Sequence, residues 1–391
     1  MDMGKDFGNT GDGFSNERRP IGVERLPAAA SRGAIAWPRQ NLFSSPLNAA
    51  LTLGCIVVVI WAGPPLIRFF FLDAVWSGTD RAACIKPLTS GACWPFVRAW
   101  LSYFVYGFYP ADQRWRVDGF FAALAFGIAW LAWLEAPRRG LGAVYFFIVL
   151  PLASFVMLHG APPVGLPVVP TALWGGILVT LVVATVGIVV SLPLGTLLAL
   201  ARRSKVPLVR WMAVAFIEFV RGVPLITVLF MASVMLPLFV PEKFAPDKLI
   251  RALIGVALFA SAYMAEVVRG GLAAIPAGQY HAARALGLSY WRTMGLVVLP
   301  QALRVTLPNI VSIFIGLFKD TTLVFVVGIF DFLGTVEAAR GDPKWAAPTT
   351  TVTGYAFAAA FYFVCCYGMS RYAHGVERRL TRSQSAGKRR L

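Results

Sequence analysis

Long apolar runs limit how this chain can fold more than any other feature of its sequence. Eight segments each hold enough apolar residues to cross about 30 Å of hydrocarbon as a helix. With 58% hydrophobic and 14% charged residues and a mean hydropathy of +0.67, the 391 residues are too apolar for a water-soluble domain. The sequence therefore predicts an all-α polytopic membrane protein. Its expected spans are residues 47–72, 118–135, 141–159, 170–201, 208–238, 248–272, 303–330 and 351–370.

The basic charge follows the loops. Net charge is +17, and the segments that would share one side of the membrane with the N-terminus hold 23 of the 36 Lys and Arg residues. This bias predicts that both termini lie in the cytoplasm. It also explains the charge better than nucleic-acid binding does, and the basic tail at 376–391 is expected beside anionic lipid. The polar tail at 1–46 lacks the apolar core of a signal peptide, so the first span is expected to stay as an anchor.

Three spans (47–159) precede five (170–375), and a Pro-rich segment at 160–169 reads as the linker between them. The outer loop at 73–117 carries many Trp, Tyr and Phe residues, which is typical of a segment at the membrane interface. Cys84 and Cys93 share this loop. In an oxidising compartment they can form a disulfide, while two free thiols remain the alternative.

The segment at 273–300 is a polar loop with helical character between two spans. Strong helix formers precede Gly287, which can take the left-handed conformation that closes a helix. Ser289 can then cap a second helix from Tyr290. Two short helices outside the bilayer are expected, with the next span starting beyond Pro300. Such an element fits a groove in a partner protein, or lies on the membrane surface by its apolar face. Its exposed groups would be Leu286, Tyr290, Trp291, Arg284 and Arg292.

This loop resembles the EAA loop of ATP-binding cassette importer permeases. The stretch AARALG, followed nine residues later by VVLP, places Ala282, Ala283, Gly287, Val297, Leu299 and Pro300 on that pattern. The stretches FIEFVRGVPLITVLF, AYMAEVVRGGLAAIPAGQ and FKDTTL are similar to the polar amino acid subfamily. With the outer loop included, the resemblance to the long permease subunit of general L-amino acid importers covers nearly the whole chain.

The resemblance implies a five-helix type I importer permease core preceded by a three-helix extension. It implies an ATPase-coupling loop formed by His281, Ala282, Ala283, Arg284, Gly287, Leu299 and Pro300. His281 stands where the family has a glutamate, so the favourable contact of a carboxylate with the positive end of a helix is lost.

The implied partners are a second permease subunit in a heterodimer, two ATPase subunits and a periplasmic amino acid binding protein. The chain holds no G-x-x-x-x-G-K-[ST] motif, so ATP and Mg²⁺ are expected on the ATPase partners, with no cofactor or metal in this chain. Neither H-E-x-x-H nor G-x-S-x-G occurs, and no enzymatic activity is expected.

Ionisable residues inside predicted spans are costly and need a partner or a function. An amino acid has a carboxylate and an ammonium group, so a pathway for it can use charges of both signs. The alternative is that neighbouring charges only pair with each other along one helix. Pro224 removes a backbone hydrogen bond within the fifth span and predicts a break there. The candidate residues are Glu218, Arg221, Glu266, Arg269, Lys319 and Asp320.

A second class of function fits the same charges. An ion-driven secondary amino acid carrier would use them as proton or sodium sites. Such a carrier does not need a helical loop outside the membrane, and its transport would survive the loss of ATP. The loop at 273–300 therefore favours the ATP-driven importer.

Overall fold

A computed structural model describes residues 38, 41–85, 91–133, 135–240 and 246–388. Most of the predicted polar tail at 1–46 and the last residues of the basic tail lie outside these ranges. The chain divides into two compact units, residues 1–67 and 68–391. In the first unit the described helix is α1, Pro46–Ile67.

The described part of the second unit is helical, and its helices supply most of the membrane spans. Across the described residues seven helices are long and apolar enough to cross a membrane, the first of them Pro46–Leu72, and a bent pair of helices would make an eighth. The prediction of an all-α polytopic membrane protein is confirmed. The helices are α2 (Trp94–Tyr106), α3 (Ala111–Ala132), α4 (Arg139–His159), α5 (Gly176–Arg202), α6 (Pro207–Gly222), α7 (Leu225–Phe239), α8 (Lys248–Ala274), α9 (Ala277–Ala285), α10 (Tyr290–Val327), α11 (Phe332–Ala339) and α12 (Pro348–Lys388).

Helices α5 and α8 form the centre of this unit. They pack against each other along their length, α6 packs on both, and α10 packs on α8 and on α12. Small residues permit the close approach, as is common between helices in membranes. A Cβ atom added at Gly195 of α5 would lie 2.6 Å from the Met264 Cβ and 2.9 Å from the Ser261 carbonyl oxygen of α8. Glycine at this position therefore sets the distance between the two helices.

A sharp break separates α6 from α7. Helix α6 ends at Gly222, α7 begins at Leu225, and the two axes differ by 105°. Pro224 lies between them in an extended conformation. Proline has no backbone N–H to continue the helix and clashes with the preceding turn. The break predicted at Pro224 is present, and α6 with α7 is either one broken span or a re-entrant segment.

The helical loop between α8 and α10 has one predicted and one unexpected feature. Gly287 has φ of +73° and follows α9, as the left-handed closure requires. The prediction of a separate second short helix is wrong, because the helix that starts at Tyr290 continues to Val327. Residues Thr293–Val298 form a wider π-helical turn, and Pro300 lies in the first turn of the α-helical stretch that follows. A missing N–H is tolerated at such a position.

The outer loop packs against the core through part of its aromatic residues, and its position at the membrane interface stays a prediction. In α2, Phe96 and Phe104 are fully buried, and the Phe104 ring contacts Phe332 of α11. A disulfide joins Cys84 to Cys93, whose backbone N–H donates to the Thr353 hydroxyl of α12 at 2.9 Å. These long-range contacts attach the loop to α11 and α12. The end of the bundle that holds them is called the α11 end, and the opposite end is called the α9 end.

Helices α3 and α4 share a hydrophobic core with α5 and α8. The Pro-rich segment at 160–169 folds back on them: the Val169 N–H donates to the His159 carbonyl at 2.8 Å, and Arg116 donates to the Pro167 carbonyl at 2.9 Å. Both sides of this segment belong to the same compact unit. The domain boundary at 160–169 stays a prediction.

Two adjacent glycines of α8 offer a matched test of the helix packing. A Cβ atom at Gly271 would lie 2.7 Å from Thr306 Cγ2 and 2.8 Å from the Ala302 carbonyl oxygen of α10, whereas one at Gly270 meets nothing within 4 Å. We expect Gly271→Val to lower the free energy of unfolding in detergent by about 1–3 kcal/mol more than Gly270→Val does. Both variants change helix propensity equally, so equal losses would contradict the packing.

Candidate functional site

Five charged side chains from three helices form a network at the α9 end. Nη1 of Arg202, at the end of α5, lies 2.8 Å from an oxygen of Glu218 and 3.5 Å from one of Glu266. Nη1 of Arg221 lies 4.0 Å from Glu218 and 3.9 Å from Glu266. Arg269 donates to Glu266 through two nitrogens. These residues are called the inner charge network.

The helical repeat and the helix packing explain this grouping. Glu218 and Arg221 are three residues apart on α6, and Glu266 and Arg269 are three residues apart on α8, so each pair lies on one helix face. Because α6 and α8 both pack on α5, the two faces meet at its last residue, Arg202. Sequence reasoning predicted the two pairs and missed Arg202, which reads as one of several basic residues in a turn.

The network is only partly shielded. The side chains of Arg202 and Glu266 are each 26% exposed, and that of Glu218 is 52% exposed. Three arginines face two glutamates, so the network has one excess positive charge. Nε of Arg221 and Oε2 of Glu266 have no hydrogen-bond partner within the described chain. Besides its ion pairs, the network therefore holds one unpaired donor and one unpaired acceptor.

The remaining two predicted charges lie elsewhere. Lys319 and Asp320 end the α-helical part of α10, where it changes to a 3-10 turn near the α11 end. Lys319 is exposed and Asp320 is half-buried. Among the described residues no ion pair within 4.0 Å joins either of them to the inner charge network. The structure thus brings together four of the six candidates.

The predicted coupling residues present a mixed apolar and cationic surface. His281, Ala282, Arg284, Gly287 and Pro300 are exposed, whereas Ala283 is buried and Leu299 is half-buried. Beside them, Leu286 is 81% exposed and Trp291 is 69% exposed. Exposed apolar side chains grouped in this way mark a surface for a partner protein or for lipid. These exposed residues are called the loop surface.

A second arginine links the inner charge network to α9. Arg203 directly follows Arg202 but points to other partners: its Nη1 donates to the Tyr280 hydroxyl at 3.2 Å and to the Leu272 carbonyl at 3.5 Å. Tyr280 belongs to α9 and Leu272 to the end of α8. Two consecutive residues therefore connect the charged network on one side with the loop helix on the other.

Asp331, at the α11 end, is a buried charge that sequence reasoning missed. It is fully buried and caps α11, accepting hydrogen bonds from the N–H groups of Gly334 at 2.9 Å and Leu333 at 3.3 Å. The Tyr362 hydroxyl donates to it at 3.2 Å. Burial raises the pKa of the Asp331 carboxyl from 3.8 to about 6, against the lowering effect of these hydrogen bonds. An aspartate just before an apolar run is the signal that could have found this cap.

An apolar bundle of membrane-spanning helices is an integral membrane protein, and its family makes it a transport subunit. Residues 191–382 match the family described as the binding-protein-dependent transport system inner membrane component. The chain is 50% identical over 352 residues to the inner membrane amino-acid ABC transporter permease protein YhdY of Escherichia coli (strain K12), covering 89% of this chain and 94% of that relative. It belongs to this family of permeases.

Two further proteins are similar. The glutamate/glutamine/aspartate/asparagine transport system permease protein BztC of Rhodobacter capsulatus is 40% identical over 425 residues, which cover 91% of this chain and 96% of that relative. A crystal structure of an amino acid ABC transporter with histidines is 28% identical, covers 52% of this chain and 92% of its own, and superposes with a TM-score of 0.46. The similarity to BztC thus extends over regions outside the family match as well.

The inner charge network predicts an unequal effect of two similar substitutions. Glu266 contacts three arginines, whereas Glu337 of α11, also 26% exposed, contacts one arginine and Tyr355. We expect Glu266→Gln to lower the free energy of unfolding by about 1–2 kcal/mol more than Glu337→Gln, because it leaves three arginines around one carboxylate. Chemical unfolding of the detergent-solubilised protein measures this. Similar losses for the two variants would show that the network does not act as a unit.

Asp331 predicts a pH dependence of stability. Because its pKa is higher in the folded chain than in the unfolded chain, the folded state binds the proton more tightly. Tighter proton binding at Asp331 stabilises the folded chain by about 3 kcal/mol below about pH 4. This stabilisation is lost as pH rises through about 6. We expect Asp331→Asn to remove this slope in unfolding measurements between about pH 4 and pH 7. The half-buried Asp342→Asn is the control, and parallel curves for native protein and Asp331→Asn would refute the assignment.

Proposed function

We propose that this chain is the permease subunit of an ATP-driven importer of amino acids, with broad specificity for L-amino acids, in a bacterial inner membrane. The observation that carries this proposal is the 50% identity, over 89% of the chain, to a protein named an amino-acid ABC transporter permease. The name of BztC, a permease for four amino acids, supports broad specificity. The distribution of Lys and Arg supports a cytoplasmic position for both termini.

The inner charge network supports passage of a zwitterion. Arg221 and Glu218 are partly exposed, and each keeps a long ion-pair contact of about 4 Å that a substrate group can replace. The substrate carboxylate would pair with Arg221 or Arg269, and its ammonium group with Glu218 or Glu266. Lys319 and Asp320 would form a second binding site, with one positive and one negative side chain, toward the α11 end. Paired charges keep the cost of burial low when no substrate is present.

The loop surface supports coupling to a separate ATPase. Its exposed apolar residues, Leu286 and Trp291, lie on either side of the bend at Gly287 and fit an apolar groove in a partner protein. In this proposal two ATPase subunits hold ATP and Mg²⁺, this chain holds no cofactor and performs no hydrolysis, and a second permease subunit completes a heterodimer. A periplasmic binding protein delivers the amino acid at the α11 end. Movement of α9 reaches the inner charge network through Arg203 and Arg202.

An ion-driven secondary carrier is the alternative. It would use the same network as a proton or sodium site and would leave the loop surface without a function. The two proposals differ in their energy source, so the measurement that separates them is uptake at a fixed membrane potential with and without ATP.

We expect the reconstituted transporter, with its ATPase and second permease subunits and a loaded binding protein, to take up labelled L-glutamate only when ATP is supplied. Gly287→Val should lower the stimulated ATP hydrolysis and uptake about tenfold, because a β-branched residue at φ of +73° costs about 1–2 kcal/mol and disturbs the bend after α9. The ATPase subunits should still co-purify with this variant.

Gly295→Val is the matched control, since Gly295 also has open space around it but no positive φ, and its uptake should match that of native protein. Uptake that persists without ATP would show that the chain is an ion-driven secondary carrier and would contradict the ATP-driven importer. In the same vesicles Arg221→Ala and Lys319→Ala test the substrate pathway: normal uptake at normal expression would make these residues structural.

A further inference from the structure

A cationic pocket lies beside the inner charge network but is separate from it. Its volume is about 270 Å³, it is open to the outside, and it lies between the end of α8, the turn after α5 and the first turns of α9. Arg203, Tyr280, His281 and Arg284 supply its polar lining, and Leu272 and Ile275 belong to its apolar part. This volume is far above the ~10–15 Å³ that a cavity needs to hold one water molecule, which leaves room for a small charged group with its hydration.

The charge of this pocket is not balanced by the protein. The lining contains two arginines and a histidine and no acidic residue. Among the described residues, no carboxylate lies within 4.0 Å of these three side chains, since the acidic partners at this end, Glu218 and Glu266, pair with Arg202, Arg221 and Arg269. Both hydrogen bonds of Arg203 within the chain come from Nη1, so its other nitrogens can face a ligand.

We propose that this pocket binds a phosphate group. The planar guanidinium of arginine matches phosphate oxygens with two parallel hydrogen bonds, and two arginines with a histidine supply donors on several sides. The pocket lies where two spans end, because Arg203 follows the last residue of α5 and Leu272 is near the last residue of α8. A phospholipid headgroup reaches this level, and so does a soluble phosphate compound from the aqueous side.

Binding is tested on the full-length purified chain in detergent, with phosphatidylglycerol, phosphatidylcholine and inorganic phosphate as separate probes. Native mass spectrometry measures bound lipid, and calorimetry measures phosphate. Arg284→Gln and His281→Glu alter exposed residues of the pocket and should still fold, whereas Arg203 holds α9 and is left unchanged. We expect both variants to lower the affinity for the probe that native protein binds at least tenfold. Arg292→Gln, which changes an exposed arginine of the same loop outside the pocket, should change it less than twofold.

The probes distinguish the two sources of phosphate. Tight binding of phosphatidylglycerol that inorganic phosphate does not displace assigns the pocket to a lipid, and binding of inorganic phosphate that excludes the lipid assigns it to a soluble compound. The proposal is overturned if none of the three probes binds, if the two pocket variants bind like native protein, or if Arg292→Gln loses as much affinity as they do. If no probe binds and Arg284→Glu also loses the co-purifying ATPase subunits, the pocket contacts a carboxylate of a partner protein. That result overturns the phosphate site but leaves the proposed transport function standing.

Discussion

The close packing of α5 on α8 is the contact on which the rest of the second unit depends. In a membrane no hydrophobic force brings helices together, so association relies on close fit and on paired polar groups. Gly195 gives α5 and α8 that fit, and α6, α7, α10 and α11 each pack on one of the two or on both. The inner charge network follows directly, since its arginines and glutamates meet only because α6 and α8 share α5 as a neighbour.

The two ends of this helix pair differ in chemistry. At the α9 end, charges are exchangeable: five ionisable side chains are partly exposed, and their longest contacts are near 4 Å. At the α11 end, the contacts are fixed, with a disulfide, buried aromatic rings and the capped Asp331. A transport subunit that changes shape needs both, because a movement received at a loosely paired end is transmitted only if the other end provides a rigid reference.

Local sequence signals predicted the local structure well. Hydropathy located the spans, Pro224 located the break between α6 and α7, and Gly287 located the end of α9, because each depends on a few neighbouring residues. The burial of α2 depends on Phe332, more than two hundred residues away, and no local pattern contains that contact. The helix through Pro300 was missed for a related reason: a π-helical turn before it compensates for the proline, and composition does not show where such a turn forms.

The adjacent arginines at the end of α5 explain how the site was predicted only in part. The pairs Glu218–Arg221 and Glu266–Arg269 are visible as i,i+3 spacing, but the direction of Arg202 and Arg203 is set by the turn that ends the helix. In that turn one side chain points into the network and the next points to Tyr280 of α9. Since the two residues are adjacent in the chain, contacts run from Tyr280 of α9 through Arg203 and Arg202 to both glutamates. The network is thus connected to α9 by neighbouring residues even though no side chain of α9 enters it.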